Sequence, residues 1–566
     1  VGLGGCAAAP GFTAADTGME RGGNAEAQAT ASAPAYGSYL AGQHARAQGD
    51  LKSAVAFFMD AIKADPDNAV LLQQGFSLAI ADGRYEEAER LARKLDDGDT
   101  VNSLPRIFLI LEKVKARQYD QAMADVAAIP DTGLNRLMKP LMRAWILAGI
   151  GQRDEAFAAL EPLREVPAFR PFAEHHRAYL MDWFGDPAAA SVYEELIGPD
   201  RQQNLRTILA YGRLLLRQGK DQKLKELLET HAREYLDPAA LEVAEQRLRR
   251  NPDQPLLNGP VHGLAEAFYG GAAALSLDQA NAPAAFYLRF ALYLKPNFSE
   301  ARFLLGRLLE ADQQYDAALA AYGEVDPRHE FYSEAQLREV WVLQAMGREE
   351  EALERLFAII DRGTDNVEAL SALADLFREK SDFDEAASYY TRALDMVPEK
   401  EERHWVLYYA RAIAYDQAKK WAQAEADLRK ALELKPEQPD VLNYLGYSWV
   451  DRGVNLAEAE AMIQRAVEQR PNDGYIVDSL GWAQFMSGRY EEAVETLERA
   501  VLLRPEDPTL NEHLGDAYWQ VGRHTEARFQ WSHALSLGAA EDRAGELRQK
   551  IANGLNPGGS KAAREE

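Results

Sequence analysis

The sequence predicts an all-α protein, an α-solenoid of repeated helical hairpins wound into a right-handed superhelix. The first sign is alanine, which recurs at Ala424, Ala459, Ala493 and Ala527 and again at Ala431, Ala466, Ala500 and Ala534. Successive spacings are 35, 34 and 34 residues in both series, and the prolines Pro436, Pro471 and Pro505 keep the same step. A fixed period near 34 residues is one supersecondary unit copied along the chain, each copy covering the apolar face of its neighbour. Composition is the second sign: 47% hydrophobic and 27% charged residues, rich in Ala and Leu and poor in β-branched types, fit a soluble helical chain. An array of this kind presents a long surface, so binding is the expected function.

The residues within one period explain its shape. In 474–507 the run DSLGWAQFMSGRYEEAVETLERAVLLRP holds two apolar stripes at i, i+3, i+4, i+7, interrupted at Gly488, where a turn is predicted. Leu480 and Gly481 of the first helix meet Ala493, Leu497 and Ala500 of the second. Small side chains belong where helices approach closely, because a larger one would overpack the contact. Pro505 ends the second helix, since it lacks the N–H that another turn would use.

The segments LGYSW (Leu445 to Trp449), LGWAQF (Leu480 to Phe485) and LGDAYW (Leu514 to Trp519) each precede an Ala-x-x-x-aromatic/Leu-x-x-Ala pattern, as in Ala527, Trp531 and Ala534. In these features the chain resembles the tetratricopeptide repeat family. Weaker copies begin near Ala265, Ser299, Ser333, Val367 and Trp405 and keep their first alanine at Ala284, Ala318, Ala352, Ala386 and Ala424. One copy carries four extra residues near Glu401 to His404, another a single one near Asn455. Residues 35–68 fit through Ala54, Phe58, Ala61 and Pro66, and later copies keep Ala88, Ala122 and Ala156. From about 170 to 232 the pattern degenerates, with Gly212 and Leu224 as anchors, and 233–264 breaks it. The expected organisation is therefore an N-terminal tether (1–34), a divergent solenoid (35–232), an irregular joint (233–264), a regular solenoid (265–541), and a capping helix with a disordered tail (542–566).

Charge and chemistry narrow the function. With 63 basic and 89 acidic residues the net charge is −26, which argues against nucleic acid and against anionic lipid surfaces. No metalloprotease, phosphate-loop or nucleophile-elbow motif occurs. His175 and His176 are the one adjacent histidine pair, and neighbouring helical residues point about 100° apart, a poor chelate. No catalytic residue, cofactor or metal site is expected. A catalytic unit hidden in 165–264 would need strand patterning or acid–base clusters, and neither is there.

Cys6 is the single cysteine, so disulfides are excluded. Leu3-Gly4-Gly5-Cys6 resembles the lipobox of bacterial lipoproteins, which implies lipidation of Cys6, with the leader segment expected upstream of Val1. Residues 7–34 are small and polar, suited to a tether, and Ala7 is compatible with outer-membrane sorting in such families.

A protein partner is expected on the inner face, lined by the first helix of each hairpin. Opposite the Leu-Gly seam the stripe reads Asn443, Tyr447 and Val450, then Asp478, Trp482 and Phe485, then Glu512, Asp516 and Trp519. Rings would supply contact area and acids would select basic residues, unless Trp482 and Trp519 pack between neighbouring helices instead. Tetratricopeptide clamps for a peptide's terminal carboxylate use a Lys/Asn/Arg set on this face, and here the face carries acids. The C-terminal third resembles proteobacterial lipoprotein-type repeat proteins, some of which scaffold carboxy-terminal-processing proteases. That implies a lipid-anchored scaffold on the periplasmic side of the outer membrane; the alternative is a soluble cytoplasmic scaffold or co-chaperone.

Overall fold

The computed structural model describes residues 33–96, 103–198, 204–232, 235–236, 238–361, 366–397, 401–538 and 541–555. Cys6, the tether and the tail after 555 lie outside the described residues. Everything described is helix, turn or loop, with no β-strand among the described residues. The chain forms two compact units, Val1–Ala352 and Leu353–Glu566.

The second unit is the regular one. Its hairpins pair Val367–Glu379 with Phe383–Asp395, Trp405–Gln417 with Trp421–Leu434, Pro439–Arg452 with Leu456–Gln469, Gly474–Met486 with Tyr490–Leu503, and Pro508–Gln520 with His524–Ser536. Helix Glu541–Asn553 packs on the last of these. Local chemistry sets each boundary. Asp507 accepts from the N–H groups of Thr509 and Leu510 at 2.8 and 3.1 Å, with Pro508 in the first turn, and Asp473 caps Tyr475 at 3.1 Å. The four extra residues near 401–404 form a short 3-10 turn, Glu402–His404, ahead of helix Trp405–Gln417. At the seam, a Cβ on Gly481 would sit 2.6 Å from Leu497 Cγ, so glycine is what lets these two helices close up.

In the first unit, hairpins run from Ala33–Ala47 with Leu51–Ala64 through Ala69–Ala81 with Tyr85–Asp96 and Leu104–Lys115 with Tyr119–Ala127. Asn135–Ile150 is answered by two short helices, Arg153–Ala158 and Glu161–Arg164. Arg170–Trp183 pairs with Ala189–Leu196, and Leu205–Arg217 with Asp221–His231. The stretch 233–264, expected as an irregular joint, holds helix Pro238–Arg250, which packs on Leu205–Arg217 inside this unit. Pro260–Leu277 with Asn281–Leu294 and Ser299–Ala311 with Tyr315–Gly323 resume the hairpins, and Tyr332–Ala345 follows.

The hairpin Pro260–Leu277/Asn281–Leu294 also returns across the chain to pack on the first helices Ala69–Ala81, Leu104–Lys115, Asn135–Ile150 and Arg170–Trp183. Phe76 meets Phe286 at 6.1 Å, and Phe108 stacks on Phe290 at 5.9 Å. Lys115 Nζ donates to the Tyr293 carbonyl at 2.8 Å, and Tyr85 Oη to that of Arg289 at 3.2 Å. Closest of all is Gly263, where a Cβ would lie 2.0 Å from Cδ2 of the fully buried Trp145.

Candidate functional site

The expected inner-face residues fall into two groups. Asn443, Tyr447, Trp482, Phe485 and Trp519 are half-buried, whereas Asp478, Glu512 and Asp516 are buried. Their helices bring them to neighbouring positions because each first helix packs on its successor: Trp482 stacks on Phe485 at 4.7 Å and on His513 of the next repeat at 4.1 Å.

The expectation that the three acids stand open to a basic partner is corrected by their contacts. His513 Nδ1 donates to Asp478 Oδ2 at 2.9 Å, beneath the Trp482 ring. Burial opposes the imidazolium, but Asp478, helped by Asp516 and Glu512, raises the His513 pKa above its ordinary value. Lys550 of the capping helix reaches Glu512 Oε1 at 2.6 Å and Asp516 Oδ2 at 2.7 Å, and Arg543 adds a 3.1 Å contact to Glu512. Asp516 also accepts from Trp531 Nε1 at 2.8 Å. Its pKa is raised by burial, against the pull of Lys550. The acids do select basic side chains, and those side chains belong to this chain. Charges removed from water require partners, and the capping helix supplies them.

Trp519 is taken up in the same way. It lies 5.5 Å from Trp531 and 4.1 Å from His524, and a Cβ on Gly554 would come within 1.9 Å of its ring. Tyr447, Trp482 and Phe485 stay partly exposed. Asn443 Oδ1 is shielded from solvent and meets no donor among the described residues. Sequence reasoning missed His513, Arg543 and Lys550. The signal was present: Arg543 and Lys550 stand seven residues apart, one stripe on the capping helix.

The first unit differs. Its first-helix face is covered by the 260–294 hairpin, and a buried ion network locks that hairpin in place. Arg206 is 4% exposed and binds Glu266 through Nη2 at 2.7 Å and Glu300 through Nη1. Arg247 binds Glu330 at 2.6 Å, and His329 Nε2 lies 3.2 Å from Glu300. Oxygen and nitrogen atoms of Glu300, His329 and Glu330 converge closely enough to hold a cation. Two guanidinium groups already neutralise those carboxylates, so the arrangement suits an ion-pair lock better than a metal site. His176 is also buried and His175 half-buried beside it. Burial lowers their pKa values to about 4 and about 3, His175 further depressing its neighbour. His176 Nδ1 accepts from Trp145 Nε1 at 3.0 Å, which requires that nitrogen to be unprotonated.

Among the described residues, no helix is long and apolar enough to cross a membrane.

Models of the tetratricopeptide repeat match residues 37–68, 369–403 and 409–474, and a model described as TPR repeat matches 481–522. A curated relative, the TPR repeat-containing protein PA4667 of Pseudomonas aeruginosa, is 32% identical over 153 residues, 27% of this chain. The match spans a quarter of that protein, 25% of its length. Of the solved structures, the APC/C hetero-tetramer Cut9–Hcn1 aligns over 93% of this chain and 97% of its own, at 14% identity and a TM-score of 0.37. A tetratricopeptide repeat protein from Parabacteroides merdae aligns over 51% of this chain and 99% of its own, at 18% identity and a TM-score of 0.30.

Proposed function

Because the chain is a tetratricopeptide-repeat protein, we propose that it is a non-catalytic scaffold whose second unit holds a protein partner on the first-helix face of residues 439–486. One contrast carries this reading. In the first unit the corresponding face is filled by the chain's own 260–294 hairpin, whereas Tyr447, Trp482 and Phe485 in the second remain half-exposed. Part-exposed rings on rigid helices supply contact area at low entropic cost. The acids Asp478, Glu512 and Asp516 hold the last repeat together and set the shape of the face.

The test compares folding with binding. Trp482→Ala should cost about 2 kcal/mol of binding if the ring anchors the partner. Crosslinking capture from envelope extracts identifies the partner, and thermal melting of the variant is measured alongside. Lost capture with an unchanged melt supports the face; a large melting drop with capture intact assigns Trp482 to packing against His513 alone.

The lipobox-like Leu3-Gly4-Gly5-Cys6 supports placement of the scaffold at the periplasmic side of the outer membrane through an acylated Cys6. Stable attachment needs more than one acyl chain, since a single chain binds only marginally. Cys6→Ala should move the native precursor into the soluble fraction and abolish a globomycin-sensitive mobility shift. Unchanged membrane association of the Cys6→Ala protein would count against the lipobox and point to a protein-mediated anchor.

A further inference from the structure

Turned away from the buried face of the first unit is a pocket of about 570 Å³ between helix Asn135–Ile150 and the short helices that follow it. Ligand pockets commonly span about 300–1,000 Å³, so this one has room for a side chain and its neighbours. Arg136, Pro140, Arg143 and Leu147 form one stripe at i, i+4, i+7, i+11. Met138 and Trp145 lie on the opposite side of the same helix, against Gly271 and Gly263 of the returning hairpin. The pocket is therefore separate from both first-helix faces. Leu163, Val166 and Phe169 continue its apolar floor.

Its rim is basic in a chain whose net charge is −26. Lys139 is settled: it donates to the Ile129 carbonyl at 2.7 Å and pairs with Asp131 at 3.1 Å. Arg136 and Arg143 are exposed, and neither has an ion-pair or hydrogen-bond partner for its guanidinium among the described residues. The exposed Glu155 on the other wall also stands unpaired, leaving the rim an excess of one positive charge. Seven helical residues separate the two arginines by about 10 Å along the axis. Three residues of polyproline-II chain rise by about 9 Å, and three residues per turn bring the two side chains to the same side.

We propose that this pocket is a second docking site, for an acidic segment of a partner protein in polyproline-II conformation, with carboxylates spaced acid-x-x-acid on one side and an apolar side chain between them. The carboxylates pair with Arg136 and Arg143, bidentate where geometry allows, and the apolar side chain enters against Leu147, Leu163, Val166 and Phe169. Two cations spread along the helix match two separated charges better than the single head of a fatty acid. The site does not depend on the second unit's face.

Fluorescence anisotropy with the labelled peptide Gly-Asp-Leu-Phe-Asp-Gly, titrated with the full chain, tests this. Saturable binding is expected, weakened at least fivefold by Arg136→Glu or Arg143→Glu and severalfold between 50 and 200 mM salt. A peptide with both Asp replaced by Asn, or with Leu-Phe replaced by Gly-Gly, should bind at least tenfold more weakly. Both arginines are exposed, so circular-dichroism melts of the variants should match the parent. Trp482→Ala should bind the peptide normally, which keeps this site distinguishable from the face on the second unit. No binding at millimolar chain, equal affinity for the Asn peptide, or parental affinity in both arginine variants overturns the proposal. Arginine-dependent binding of laurate in place of the peptide also overturns it and assigns the pocket to an anionic amphiphile.

Discussion

Acid should loosen the first unit while tightening the end of the second. His175 is half-buried and His176 buried, and desolvation lowers their pKa values to about 4 and about 3, against 6.5 unperturbed. A base whose folded pKa is depressed loses stability as pH falls through its unfolded value, because the unfolded chain takes up the proton first. Between pH 7.5 and 5 that linkage amounts to about 2 kcal/mol for each ring. His262, lowered to about 4 by burial with help from Lys295 and Arg206, acts in the same direction. Asp182 opposes them. Burial raises it to about 6 despite Arg217, so it returns about 1 kcal/mol over the same interval. The net loss is about 5 kcal/mol, a large share of a domain stability of about 5–15 kcal/mol. His513 carries the other sign: its raised pKa gives a contribution complete below 6.5 that disappears as pH climbs through the folded value. Native-state hydrogen exchange at pH 7.5, 6.5 and 5, corrected for intrinsic rates, should show helices Asn135–Ile150 and Arg170–Trp183 losing protection. Helix Pro508–Gln520 should gain it. The double variant His175→Gln/His176→Gln should remove most of the acid slope in the first unit. A first unit whose protection is flat with pH, or a slope surviving in the double variant, would refute the assignment of buried neutral imidazoles.

Three further outcomes follow from the same contacts. Arg206→Ala leaves Glu266 and Glu300 buried without that counter-ion, and should cost about 3–5 kcal/mol in urea unfolding of the first unit. Gly263→Ala places a methyl against the Trp145 indole and should cost about 1–3 kcal/mol, read as a lower urea midpoint and a shifted Trp145 emission. Lys550→Met takes the ammonium from Asp516 and leaves Glu512 with Arg543 alone. Limited proteolysis should then cut within 508–553 first, at a local cost of about 3–5 kcal/mol, with cleavage rates elsewhere unchanged.

Much of the fold was legible because a hairpin seam is a local affair. Gly481 meets Leu497 sixteen residues away, and the neighbour's copy lies one period on, so selection for close packing writes itself into the sequence as recurring Ala and Gly. Caps such as Asp507 and Asp473 are equally local. The candidate face was half legible: its positions could be counted out, but whether a carboxylate there meets water or Lys550 depends on a helix that belongs to no repeat.

By itself, then, the sequence determined helical hairpins, their period and the seam residues, because those contacts lie within a repeat or between adjacent ones. Tertiary structure alone decided which first helices the 260–294 hairpin covers. The 260–294 hairpin reaches Phe76 and Phe108 across roughly 180 to 210 residues, through aromatic and glycine contacts that repeat nowhere. Arg206 finds Glu266 and Glu300 at similarly irregular separations of 60 and 94 residues. Contacts made once, between distant segments, leave no period to read. Their energy comes from burying rings and pairing charges that only the folded chain brings together.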